Sequence, residues 1–145
     1  MLVEKLRQIS ATRGFEFHIG DEQWQNLIDA SDDVDQPFAN KKVHILLFSD
    51  KESSRFDDYG GEIENQYSAI FLLAVRSRIS DPNFEYKYDN HLKPLKDLAR
   101  TIKDQDFLVC DDITLKTFGI EGWRENHLDT NFDCVEVRMS IEYNG

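Results

Sequence analysis

Long apolar runs are missing from this chain. None approaches the ~20 residues that a membrane-spanning helix needs, so no span is expected. Cysteine is scarce, with only Cys110 and Cys134. They have no zinc spacing, and they fit a reducing compartment or simple packing. Two thiols are the expected state, while a disulfide between them stays open. No linker or internal repeat is visible, and there are only 3 prolines and 7 glycines. The opening MLVEKLRQIS carries Glu4 early and has no long apolar segment or small-residue cleavage site, so it does not read as a signal peptide. Basic residues are outnumbered, 17 Lys and Arg against 28 Asp and Glu, for a net charge of −11. Binding to DNA regardless of sequence needs Lys and Arg against phosphates, and no basic cluster exists here. An acidic surface repels nucleic acid, yet it can line a path through which DNA passes without adhering.

Recognisable catalytic patterns are absent too. The histidines are His18, His44, His91 and His127, and none lies at i, i+4 from another. Gly60-Gly61 opens onto an expected strand and not a helix, so it is no phosphate-binding loop. There is no Gly-x-Ser-x-Gly elbow. Cys110 and His127 make a poor nucleophile pair, because nothing near Cys110 lowers its pKa. Asp32, Asp33 and Asp35 lack the alternating ligands, central Gly and distant Glu of a calcium loop, and they read as a solvated acidic loop. Asp57-Asp58 and Asp111-Asp112 are adjacent pairs that would face opposite sides of a strand. No catalytic, cofactor or metal residue is assigned. A zinc site assembled from dispersed residues is the one metal arrangement left open.

What the chain does have is a central strand pair. At 145 residues it reads as one domain, long enough to bury roughly 70% of the surface its unfolded chain exposes. KVHILLFS, Lys42–Ser49, and ENQYSAIFLLAVRSRIS, Glu64–Ser80, are rich in residues that suit a pleated, half-buried surface. Alternation puts Tyr67, Ala69, Phe71, Leu73, Val75 and Ile79 on one face of the second strand. Ser68, Ile70, Leu72, Ala74, Arg76 and Arg78 lie on the other. Both faces are apolar from Ala69 to Val75, so the middle should be covered on both sides. Beyond it one face is bare, and the far end of the strand, Arg76–Ile79, is expected to project. A helical reading of the same run is the alternative.

Other elements follow from local pattern. Leu2, Leu6 and Ile9 give an opening helix over 1–13 that Gly14 ends. Phe15–Ile19 alternates as a short strand with Phe15, Phe17 and Ile19 inward. Asp21 caps a second helix bearing Trp24, Leu27 and Ile28, and a loop follows to Pro37. Asp50–Ile63 reads as a long polar turn carrying Arg55, Phe56 and Tyr59. Its aromatics either fold back on their own strands or meet a neighbouring subunit, where aromatics and Arg are enriched. Pro82 stops the sheet. Leu92, Leu95, Leu98, Ala99 and Ile102 make a helix capped by Asp89 or Asn90 and ending near Lys103. Phe107–Cys110 and Ile113–Phe118 read as strands, and Gly119–Thr130 as a loop with Trp123. The closing strand places Val135, Val137, Met139, Ile141 and Tyr143 inward and Cys134, Glu136, Arg138, Ser140 and Glu142 outward. The expected fold class is α+β, a mixed and mostly antiparallel sheet packed by two or three helices.

This element order resembles the tail-terminator and tail-completion proteins of long-tailed bacteriophages and their relatives at the head–tail neck. The resemblance rests on helix Leu2–Ile9, strands Val43–Phe48 and Tyr67–Ile79, helix Leu92–Ile102 and strand Val135–Tyr143. It departs around Trp24–Pro37 and Gly119–Thr130. It implies a non-enzymatic virion structural protein forming a homo-oligomeric ring, usually a hexamer, that ends the tail tube and joins it to the head. The implied partners are tail-tube and neck or connector proteins, with no cofactor, no sequence-specific DNA binding and no membrane. The implied location is the virion, and the host cytoplasm during assembly. The subunit-interface residues expected are Arg55, Phe56, Tyr59, Arg76 and Arg78. Two rivals stand beside it: a soluble acidic adaptor or chaperone-like module, and a small metal-dependent hydrolase built from dispersed Asp, Glu and His.

Overall fold

Leu2, Leu6 and Ile9 recur on one face of a helix, and all three are buried in helix α1, Leu2–Arg13. The computed structural model describes residues 2–19, 36–56, 59–60, 62–76, 84–109, 112–127 and 132–143. Gly14 takes φ +74°, and the Phe15 N–H donates to the Ser10 carbonyl at 2.8 Å. That six-to-one bond is a Schellman ending, with Phe15 folded onto the core that holds Ile9.

The chain then enters a five-stranded sheet of order β1-β2-β3-β5-β4. Strand β1, Glu16–Ile19, runs parallel to β2, His44–Phe56. The other neighbours are antiparallel: β2 with β3, Glu62–Arg76; β3 with β5, Phe132–Tyr143; and β5 with β4, Ile113–His127. Between β3 and β4 lies a helical stretch. It comprises α2, Phe84–Lys87, a wide π turn, Tyr88–Leu92, then α3, Lys93–Ile102, and a second π turn, Lys103–Phe107. The fold is α+β, a mixed and mostly antiparallel sheet with helices, as the pattern predicts.

Helices α1 and α3 share one face of the sheet. There Leu95, Ala99 and Ile102 join Ile45, Leu47, Phe71, Leu73, Val75, Val135, Val137 and Ile141 in one core. Burying each such side chain contributes about 1.5–3 kcal/mol. The opposite face carries a smaller buried cluster of Leu46, Leu72, Ala74, Phe132 and Cys134. The double-sided cover expected for the middle of β3 therefore holds at Leu72 and Ala74, while Ile70 is only half-buried.

Several expectations are corrected. Cys134, read as outward, is fully buried because the second face is closed at that end, and Ser140 is buried as well. Cys134 is a thiol, and Cys110 lies outside the described residues. Ile19 is exposed, since β1 ends with it. The polar turn expected over 50–63 is mostly strand. These residues carry no sustained apolar alternation, so pattern could not reveal the ribbon. A bulge is inserted at Phe48, between the Leu47–Phe71 and Ser49–Ile70 pairs, and leaves that ring exposed.

The loop expected over 119–130 is strand as far as His127. Its glycines serve a bulged edge, with Gly122 at φ +154° beside one register shift. Phe107–Cys110 is not a strand. Phe107 is buried at the end of the helical stretch, while Leu108 and Val109 form an exposed turn. The Leu108 N–H reaches back to the Lys103 carbonyl at 3.0 Å. That five-residue step brings Phe107 into the core cluster with Ile102.

Neither Asp89 nor Asn90 begins a helix, because the helical stretch already starts at Phe84. Pro94 therefore sits inside it. The Lys93 N–H bonds to the Tyr88 carbonyl across the π turn. The ladder is thus already widened where the proline removes a donor and would crowd the preceding turn. The helix expected from Asp21 and the Pro82 strand stop both lie outside the described residues.

Candidate functional site

The open surface of this fold is at the β2–β3 hairpin and the sheet edges. Strand β5 pairs with β3 only from Arg76 to Gln66, and β1 pairs with β2 only over His44 to Leu47. The β2–β3 ladder continues past both, through Ser54–Asn65, Arg55–Glu64 and Phe56–Glu62. Residues 54–56 and 62–65 thus form a two-stranded ribbon extending roughly 10 Å beyond the rest of the sheet at ~3.3 Å per residue. Tyr59 stands in its turn at 98% exposure, and Gly60 there has φ +82°. The ribbon is rooted by Tyr67, whose hydroxyl donates to Glu52 Oε1 at 3.1 Å and whose ring meets Tyr143 edge-on at 5.2 Å. Among the described residues no strand lies beside β2 beyond Leu47, or beside the outer edge of β4. Such edges are templates for pairing with another chain, and the bulges in β4 blunt one of them.

The five expected interface residues divide. Arg55, Phe56 and Tyr59 gather at the hairpin end. Arg76 lies at the other end of β3, about 45 Å from Glu62 by strand rise. It is half-buried, pairs with Phe132, and its carbonyl accepts a 2.8 Å hydrogen bond from Lys41 Nζ. Arg78 is outside the described residues. The described part of β3 thus ends in a covered region, where Ala74 and Val75 are fully buried, and the rest of the end expected to project, 77–79, lies outside the described residues. The open end is the hairpin. Apolar content marked the core end as strand, and the polar ribbon gave no matching signal.

Two polar groups at the covered end had no sequence signal. Lys87 and His91 lie four apart on the helical stretch and meet Asp133 at the start of β5. His91 Nδ1 is 2.7 Å from Asp133 Oδ2, Lys87 Nζ is 3.9 Å from Oδ1, and all three residues are buried. An ionised carboxylate only accepts, so the imidazole donates. This cluster ties the helical stretch to the start of β5.

On the opposite face, Glu16, His18 and His44 bring three ligand-type atoms within 4.8 Å of one another. The signal for this group is a Glu-x-His on a strand, and it becomes readable only once β1 is known to pair with β2. Compared with known proteins, no family model matches the chain and no curated protein matches it.

Proposed function

We propose that the chain is a non-enzymatic virion structural protein of the tail-terminator type, a ring of identical subunits that ends a tail tube and joins it to the head. The observation that supports this most is the β2–β3 ribbon reaching past the rest of its own sheet. A ring subunit must touch its neighbours with surface that its own core does not need. A ribbon with an exposed Tyr59 at its tip, and a 15-residue edge strand at the other side of the sheet, provide such surface. Edge-to-edge strand addition joins them through backbone hydrogen bonds. The net charge of −11 suits a lumen through which DNA passes without adhering. Its partners are then tube and neck proteins, and its place is the virion after assembly in the host cytoplasm. Among the described residues no helix is long and apolar enough to cross a membrane.

Sedimentation of the purified chain at high concentration, alone and with a tail-tube protein, tests the proposal. A discrete ring is the expected species. Monomer under both conditions would overturn it.

A further inference from the structure

The parallel register of β1 and β2 sets Glu16 opposite His44 and His18 opposite Leu46. Residues two apart on a strand share a face, so Glu16 and His18 both turn toward His44. Their polar atoms form a nearly equilateral triangle. His44 Nδ1 is 3.4 Å from His18 Nε2 and 3.6 Å from Glu16 Oε2, and His18 Nε2 is 3.7 Å from that same oxygen. The two carboxylate distances are too long for hydrogen bonds. They match the spacing of donors around a shared ion. Tetrahedral zinc, with bonds of about 2.0–2.2 Å, holds its ligands about 3.3–3.6 Å apart. An octahedral ion with similar bonds would draw neighbouring ligands to about 3.0 Å. Two imidazoles and one carboxylate also favour a nitrogen-binding metal over calcium or magnesium, which take oxygen.

We propose that Glu16, His18 and His44 form a three-ligand site for a divalent transition metal, with Zn²⁺ as the ion it fits. The proposal goes beyond the ring reading and does not depend on it. Three protein ligands leave a fourth position for water. Access comes from the Glu16 side, where the side chain is 38% exposed, against 12% for His18 and none for His44. The supporting shell is apolar. Phe132 packs perpendicular to the His44 ring at 5.4 Å and 86°, which holds the imidazole plane. Leu46, Leu72 and Ala74 are buried on the same face. Such shells orient ligands and limit water. A metal here would also join β1, a strand of four residues, to the sheet across its one described neighbour.

The test uses the full chain without a histidine tag, stripped by chelation and titrated with zinc chloride in a calorimeter. One ion per chain is expected, and Co²⁺ in its place should give the intense visible absorption of a tetrahedral site. Glu16→Gln and His18→Ala should each weaken zinc binding by at least about tenfold, the lower bound for loss of even a supporting residue. Glu4→Gln, an exposed acid on α1, should bind as the unaltered chain does. His44 is buried and its replacement risks the fold, so the two more accessible ligands carry the test, with folding checked by circular dichroism. No zinc binding by the unaltered chain would overturn the proposal and leave the histidines as a hydrogen-bonded pair. Equal binding by both variants would also overturn it. Ring formation is read separately by sedimentation, so either proposal can fail alone.

Discussion

The two ends of the β2–β3 ladder are built from the same backbone hydrogen bonds and differ in everything around them. At the Arg76 end the ladder is flanked by β1 and β5 and closed on both faces: Leu73 and Val75 against the helices, Leu72 and Ala74 against the smaller cluster. This end tolerates the buried polar groups Lys87, His91 and Asp133 because the carboxylate bonds to the imidazole and faces the ammonium. At the Tyr59 end two strands continue with no third strand beside them among the described residues. A lone two-stranded ribbon is marginal in water. The difference teaches that hydrogen bonding runs the full length of the hairpin, while stabilisation by burial stops partway. One end makes the fold, and the other is available for a neighbour.

That contrast can be broken by substitution. The largest effect is expected at Asp133. Asp133→Ala leaves the buried Lys87 and His91 without the carboxylate they both face and should lower unfolding free energy by about 3–5 kcal/mol in a denaturant titration. A loss under about 1 kcal/mol would mean that the cluster is no tie. Leu72→Ala should cost about 2–5 kcal/mol by the same measurement, because the second face is closed there. A near-neutral result would reduce the covered end to a one-sided sheet. Gly14→Ala should cost about 1–2 kcal/mol. Space is not the reason, since nothing lies within 4 Å of the added methyl; the cost is the left-handed backbone at φ +74°. Replacing residues 53–65 with a tight turn should leave the unfolding midpoint nearly unchanged while abolishing the ring in sedimentation. Destabilisation by that change as large as Leu72→Ala would erase the proposed division of labour. Tyr59→Ser should be silent in unfolding and visible only in assembly.

How much of this was legible depended on whether a signal was local. The helix-face stripe of α1 and the inward set of β5 were readable, because their periodicities report burial on one side. Leu2, Leu6, Ile9, Val135, Val137 and Ile141 are all buried as read. The ribbon is not legible as strand, because its residues carry no sustained apolar alternation. Phe84–Tyr88 reads equally as a connecting turn or a first helical turn, and the structure makes it helical, while the π turn that accommodates Pro94 has no local signature. Phe107 looked like the start of a strand, since short apolar runs fit either periodicity. Of the residues expected at an interface, Tyr59 is exposed and Arg76 half-buried.

The amino-acid order by itself determined the fold class, the faces of α1 and β5, and an acidic chain without a basic grip. These follow from spacing along one segment and from simple counting. Tertiary structure alone decided which end of the long strand is covered, that Asp133 meets Lys87 and His91, and that Glu16 and His18 converge on His44. Each depends on the register between segments far apart in the chain. A one-residue slip of β1 or β5 would send Glu16 and His18, or Asp133, to the other face.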